Sequence, residues 1–296
     1  MKTKLRNVVL FILTIFLSQF IYSQDVPYVP TPYEVVDGML ELAKVVEEDI
    51  VYDLGCGDGR IVVQAAKKYG TRGVGVDSDP QRIKESNQNA KENMVTDKVK
   101  FYEKNLFETD LTEATVVTIY LLSEVNIKLR PKLFRELKPG SRVVSNSFDM
   151  DDWEPEKREV VGNRNLYLWI MPFNFSGKWQ GTISGNNSEE EYLLELNQEF
   201  QKVSGNLQIG KEKLKITDAK LDGNNLRFNV KRKVDDNDVE LMFEGKLIEN
   251  ELKGEISAYN GDSVSKENWV AQRDPNTIMP LDPAILEKQQ ASGKYK

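Results

Sequence analysis

The chain of 296 residues predicts an α/β domain with a mostly parallel sheet, followed by a small antiparallel β-meander or barrel domain. Three observations carry this reading. The run Ile50 to Leu54, rich in β-branched and aromatic residues, passes straight into alternating glycines and then into a segment of helical periodicity. Strand-like and helix-like segments go on alternating to about residue 172. From Gly177 the pattern changes to short strand-like runs parted by Gly-Asn, Asp-Gly and Glu-Asn turns.

The first residues stand outside the fold. Lys2, Lys4 and Arg6 precede the apolar run Val8 to Leu17, and Tyr22-Ser23-Gln24 follows with a small residue at a cleavage point. The run is shorter than the roughly 20 residues of a membrane span. Residues 1–23 therefore read as a signal peptide, and the mature chain is expected to be extracytoplasmic, periplasmic or secreted. Membrane contact is expected only through an uncleaved signal.

Residues 24–172 form the expected α/β domain. Val35, Val36, Met39, Leu40 and Leu42 make a leading helix, and Ile50 to Leu54 the first strand. Ile61, Val62, Ala65, Ala66 and Tyr69 recur at helical spacing, and Gly73-Val-Gly-Val-Asp77 reads as the second strand. Asp79-Pro80 starts the next helix, with Asp as N-cap and Pro at the first helical position. Lys98 to Tyr102, Thr115 to Leu121 and Arg142 to Ser147 read as strands, Ile127 to Leu137 as a helix closed by Lys138-Pro-Gly140, and Lys157 to Met171 as a hairpin that adds one antiparallel strand. Ligands in such a sheet bind at the carboxyl ends of the strands.

The turn Val51-Tyr-Asp-Leu-Gly-Cys-Gly-Asp-Gly-Arg60 lies at such an end. Glycine tolerates positive φ and lets a ligand lie against the backbone, and N–H groups at the helix start are available to it. The nicotinamide fingerprint wants its third glycine where Arg60 stands, and no Gly-Lys-Ser/Thr follows to make a P-loop. A carboxylate, Asp77, ends the next strand about 20 residues on, where doubly wound folds bind ribose hydroxyls.

The D-x-G-x-G-x-G form beginning at Asp53 resembles motif I of the Rossmann-like class I S-adenosylmethionine (SAM)-dependent methyltransferases, a likeness spanning Tyr28 to Met171. It implies SAM as cofactor, held by Asp53, Gly55, Gly57, Gly59 and Asp77. Asn105-Leu106 occupies the place of an acidic residue beside the adenine, and Asn105 departs from that pattern. Tyr120-Leu-Leu-Ser-Glu124 lies where the family meets the transferring methyl, without the Asn-Pro-Pro-Tyr motif of nucleic-acid amino-methylating members. Val26-Pro-Tyr-Val-Pro-Thr-Pro32 and Asp149-Met-Asp-Asp-Trp-Glu-Pro155 resemble secreted bacterial methyltransferases. These are similar to mitochondrial protein-lysine N-methyltransferases acting on the ATP synthase c-subunit and the adenine nucleotide translocase.

The implied reaction needs little from the protein beyond alignment and exclusion of water. A lysine acceptor, with a free pKa near 10.4, must lose a proton before attack. Tyr120, Glu124, Asp149 and Asp151 are the polar residues expected nearest the methyl, with Tyr120 and Asp149 as the catalytic candidates. The chain has one Cys and no His, which removes disulfide frameworks and His-based mechanisms, and no metal site is expected. Its net charge of −7 argues against nucleic-acid partners. A protein or small-molecule methyl acceptor is expected, and the sequence leaves the oligomeric state open.

Residues 173–275 form the expected β domain, with strands at Trp179 to Ile183, Tyr192 to Leu196, Lys202 to Ile209, Lys213 to Asp218, Leu226 to Lys231, Val239 to Leu247, Leu252 to Ala258 and Trp269 to Gln272. Trp179 early and Arg273 late are similar to lipocalin-like or avidin-like barrels, where a tryptophan packs under a basic residue. Residues 276–296 read as a surface tail. Two function classes follow: a SAM-dependent methyltransferase of a protein lysine or small-molecule amine, or an extracytoplasmic ligand- or protein-binding protein whose nucleoside site does no chemistry.

Overall fold

The computed structural model describes residues 28–184, 189–234, 237–260 and 263–291. The signal expected over residues 1–23 lies outside them, as do Val26 and Pro27. Both sheets belong to the unit Thr31–Lys296. Among the described residues, no helix is long and apolar enough to cross a membrane.

The α/β half runs α1 (Tyr33–Leu42), β1 (Ile50–Leu54), α2 (Arg60–Tyr69), β2 (Arg72–Asp77), α3 (Pro80–Glu92), β3 (Val99–Glu103), β4 (Val116–Ile119), α4 (Ser123–Glu136), β5 (Arg142–Asn146), β6 (Lys157–Val161) and β7 (Arg164–Ile170). The strands order 3-2-1-4-5-7-6 in one seven-stranded sheet. Strands β1 to β5 pair in parallel, and β7 joins antiparallel between β5 and β6. The expected α/β architecture is present. Side chains alternate across each strand, so both faces need cover. Val51, Val116 and Val144 pack with α1 and α2 through Val36, Met39, Leu40 and Val62. Leu54, Val117, Ile119 and Val143 pack on the other face with Leu129 and Leu133 of α4.

One helix boundary differs from the sequence reading. Helix α4 starts at Ser123, one turn before Ile127, because Val125 N and Asn126 N both donate to Leu122 O as soon as the strand ends. Asp79 caps α3 as expected, its side chain accepting from Gln81 N at 2.8 Å.

The second half is a nine-stranded antiparallel meander: β8 (Gly177–Ser184), β9 (Glu189–Glu199), β10 (Lys202–Ile209), β11 (Glu212–Lys215), β12 (Thr217–Asp222), β13 (Asn225–Val234), β14 (Asn237–Ile248), β15 (Glu251–Asn260) and β16 (Ser263–Arg273). Its order, 11-10-9-8-16-15-14-13-12, puts two sequence neighbours at opposite edges. The strand expected over Lys213 to Asp218 is therefore two strands. The chain bends at Ile216, Asp218 takes φ 52°, and the pairing slips between Thr217 and Lys220. Ile216 N donates to Gly205 O and Arg232 pairs with Glu212, drawing the edges into a nearly closed barrel.

The barrel interior is filled. Trp179, Leu194, Leu207, Phe228, Phe243 and Trp269 are all buried, with Phe228 stacked on Phe243 at 4.8 Å and Trp269 edge-on to Phe243 at 5.3 Å. Arg273 lies 4.7 Å over the Trp179 ring, the packing its placement suggested. The last described segment is more than a surface tail. Before α5 (Pro283–Ala291), Asp282 is fully buried and pairs with Arg130 of α4 at 3.2 Å.

Candidate active site

The carboxyl ends of β1, β2, β4 and β5 bring the expected residues to one edge of the sheet. Gly55, Gly57 and Gly59 all take positive φ, at 83°, 55° and 73°. The three differ in what they face. Gly55 is exposed, whereas Gly57 and Gly59 are buried. A Cβ on Gly59 would come within 2.6 Å of the Phe101 ring and 2.9 Å of Ser86 Cβ. The bareness of Gly59 thus serves helix-to-sheet packing, a role that the reading of a three-glycine cradle did not include. Gly57 acts through its N–H, which donates to Asp77 Oδ2 at 2.9 Å. Gly55 N and Cys56 N both donate to Val76 O at 2.9 Å, fixing the turn against β2.

The helix start also differs from expectation. Asp58 Oδ1 accepts from Arg60 N at 3.2 Å, and the Arg60 side chain grips the same carboxylate while donating to Thr31 O at 2.8 Å. One N–H expected to be available to a ligand is therefore held by the protein. Cys56 is buried, and burial pushes its thiol well above the usual range, so it is a space-filling residue.

Two carboxylates define the electrostatics. Asp77 ends β2, accepting from Gly57 N on Oδ2 and from Asp79 N at 3.0 Å on Oδ1. Each carboxylate oxygen has two lone pairs, so hydroxyl donors still find acceptors there. Asp53 pairs in register with Thr118 of β4, whose Oγ1 donates to Asp53 Oδ1 at 2.8 Å. Only 3% of Asp53 is exposed, and burial raises its carboxyl to about 7; the charges of Asp77 and Asp58 add to the rise and the Thr118 bond opposes it. A cationic ligand would offset that penalty. SAM carries a ribose diol and positive charge on its sulfonium and ammonium; the residues here offer the Asp77 carboxylate for hydroxyls, the Asp53 carboxylate for positive charge and an exposed glycine, Gly55, in the same turn.

Asn105 follows β3, and its Oδ1 accepts from Phe107 N at 3.0 Å, capping the single 3-10 turn Leu106–Glu108. Leu106 packs half-buried against the α4 face of the core. Tyr120 follows β4, and the pairing of Leu54 with Ile119 sets it beside Gly55. Phe148 stacks on the Tyr120 ring at 6.2 Å, which brings Asp149 to the same edge, and Arg164 lies 5.5 Å over that ring. Asp149 Oδ1 accepts from Asp151 N at 3.4 Å, Glu124 is exposed on the first turn of α4, and Trp153 is a core residue with no exposure. Among the described residues no cluster of His, Cys, Asp or Glu is placed to hold a metal ion.

Sequence reasoning does not single out Asn126, Arg130 or Arg164. Asn126 Nδ2 donates to Phe148 O and Asp149 O, both at 3.2 Å, and Arg130 Nη1 donates to Met150 O at 2.9 Å. One helix face thus holds three successive carbonyls of the loop after β5. The signal was two polar residues on the buried stripe of α4 beside Leu129 and Leu133. Nothing comparable marks Arg164.

A mostly parallel sheet ordered 3-2-1-4-5-7-6, with a glycine turn after β1 and carboxylates on β1 and β2, defines a class I SAM-dependent methyltransferase. Comparison with known proteins agrees. The family model of the ANTKMT methyltransferase domain matches residues 53–157. A protein-lysine N-methyltransferase of Saccharolobus islandicus is 50% identical over 157 residues, covering 51% of this chain and 96% of that protein. The adenine nucleotide translocase lysine N-methyltransferase of Mus musculus is 33% identical over 52% of this chain and 66% of its own length. The Homo sapiens lysine N-methyltransferase of the ATP synthase c-subunit is 29% identical over 53% of this chain and 65% of its own. A solved structure titled as an RNA methyltransferase from Salinibacter ruber with S-adenosyl-L-homocysteine is 54% identical over 48% of this chain and 93% of that one, with a TM-score of 0.48. The chain belongs to the protein-lysine N-methyltransferase family, and SAM is its cofactor. These likenesses do not favour the non-catalytic binding reading, since the matched residues run from the glycine turn through Tyr120 to Asp149.

Proposed function

We propose that this protein methylates the ε-amine of a lysine in a protein acceptor outside the cytoplasm. The observation that carries the reading is 50% identity over nearly the whole of a protein-lysine N-methyltransferase. Asp53, Gly55, Gly57, Gly59, Asp77, Asn105 and Leu106 hold SAM in this reading. Asp77 accepts from the ribose hydroxyls, oriented by Gly57 N, and Asp53 faces positive charge. Asn105 and Leu106 border the adenine, and Gly59 acts by letting α2 close on β3.

The cofactor supplies an electrophilic methyl on a sulfonium. Tyr120 and Phe148 line the approach to it, and their stacked rings exclude water from one side of the acceptor amine. The Arg164 guanidinium beside Tyr120 disfavours a second cation there, which lowers the cost of deprotonating the lysine. The Asp149 carboxylate takes that proton on Oδ2 or passes it to solvent.

The location rests on the basic and apolar N-terminal pattern, and it makes an envelope protein the acceptor. The test is transfer of labelled methyl from SAM by the purified mature chain to an envelope extract, to the same extract with lysines chemically blocked, to its small-molecule fraction and to total RNA. Label in protein that vanishes on blocking is expected. Label confined to the small-molecule or RNA fraction would overturn the protein-lysine assignment, and label only in a cytosolic extract would overturn the location.

A further inference from the structure

The turn joining β9 to β10 breaks the rules of a free hairpin. A two-residue turn with positive φ at its first position favours Gly there, yet this one places Phe200 at φ 51°, followed by Gln201. A bulky residue in the left-handed region persists only where its surroundings over-determine it. Phe200 is 3% exposed and belongs not to the barrel core but to the α4 face of the methyltransferase sheet. Its ring stacks 6.0 Å from Trp153, lies 5.6 Å from Phe134, and carries the Arg130 guanidinium 5.0 Å above it.

Gln201 extends the grip. Its Oε1 accepts from Trp153 Nε1 at 2.9 Å and its Nε2 donates to Glu156 at 2.6 Å. Gln198 donates to Phe200 O at 2.8 Å and to Phe173 O at 2.9 Å, which stiffens the turn from behind. Of the residues the hairpin touches, Arg130 holds the loop after β5 and Trp153 ends it. Arg130 binds Met150 O and Asp152, and Trp153 O accepts from Trp169 Nε1 at 2.7 Å. That loop is itself strained, with Ser147 at φ 69° and Asp151 at φ 60° on either side of Asp149. It needs external bracing to keep Phe148 on Tyr120.

We propose that Phe200 and Gln201 are positioning residues for methyl transfer: the hairpin tip of the barrel clamps Arg130 and Trp153 and so holds the loop of residues 147–153 in the conformation that seats the acceptor. The barrel, with its filled interior, then contributes a rigid strut and not a ligand cavity. This rests on the reading of Tyr120 and Asp149 as the acceptor side of the site.

The test uses the full mature chain and two variants. Phe200→Asn suits the turn better while removing the ring, and Gln201→Ala removes two hydrogen bonds without opening a core cavity. Backbone amide exchange at residues 148–153 should quicken about tenfold in Phe200→Asn and by a smaller factor in Gln201→Ala, while amides of β1 and β2 keep their rates. Turnover of the acceptor should fall about tenfold or more in Phe200→Asn, with the SAM Kd changed less than about twofold, because small displacements of reacting groups are costly. Unchanged loop exchange in both variants, or altered exchange with wild-type turnover, would overturn the proposal. Faster loop exchange in a protein whose wild type transfers no methyl would leave the brace standing and strike the catalytic reading.

Discussion

The most decisive perturbation is Asp53→Asn, because it removes a charge while keeping an acceptor for Thr118 Oγ1. Burial holds the Asp53 carboxyl at about 7, so the group is half protonated at neutral pH before any ligand binds. A ligand that presents positive charge to it must bind the ionised form. One unit below that value about nine molecules in ten must first lose a proton, which weakens binding about tenfold, and one unit above the penalty nearly vanishes. The wild-type SAM Kd should therefore weaken about tenfold from pH 8 to pH 6 through Asp53. The α-amino group of the ligand titrates near 7.7–8.0 as well, but equally for both proteins. The ratio of the two Kd values, measured by calorimetry at each pH, isolates Asp53. Parallel profiles would refute the reasoning. The apo fold responds in the opposite sense: a carboxyl raised by folding favours the native state below its unfolded pKa, and that contribution is lost as pH rises through about 7. Asp53→Asn should accordingly raise apo stability at pH 8, on the order of a few kcal/mol, in urea melts.

Asp77→Ala removes both the ribose acceptor and the anchor of Gly57 N, and should weaken SAM binding between about tenfold and a few hundredfold by calorimetry, charged hydrogen bonds being worth about 1.5–3 kcal/mol. Unchanged affinity would show that the ribose lies elsewhere. Gly59→Ala forces a Cβ into Phe101 at a positive φ, and should cost about 2–4 kcal/mol in denaturant melts, from overpacking and backbone strain together. Asp282→Asn leaves Arg130 buried with less compensation and should destabilise the chain by about 3–5 kcal/mol, the usual result of breaking a buried pair.

Most of the sheet was legible because local signals and the global fold agree along it. Ile50 to Leu54 alternates between two cores, Asp79 caps its helix, and the glycine turn announces itself by spacing. The roles within that turn were not legible. Whether a bare Cα faces a ligand or a phenyl ring depends on Phe101, which stands some forty residues away in sequence on another strand. The split at Ile216 was hidden for a similar reason. Lys213 to Asp218 has the composition of one strand, and only closure of the barrel edges demands a bend there. Asn126 and Arg130 were not legible as loop anchors, since the carbonyls they bind belong to a loop with no regular pattern of its own.

The pairing of Arg130 with Asp282 joins positions 152 residues apart. Ribosomes deliver the glycine turn, both carboxylates and Tyr120 long before that aspartate appears. Until it does, the guanidinium that steadies Met150 lacks its buried counter-ion, and the hairpin at Phe200 has no Leu281 carbonyl to receive its amide. A brace of the transferase half is thus encoded downstream of the whole barrel.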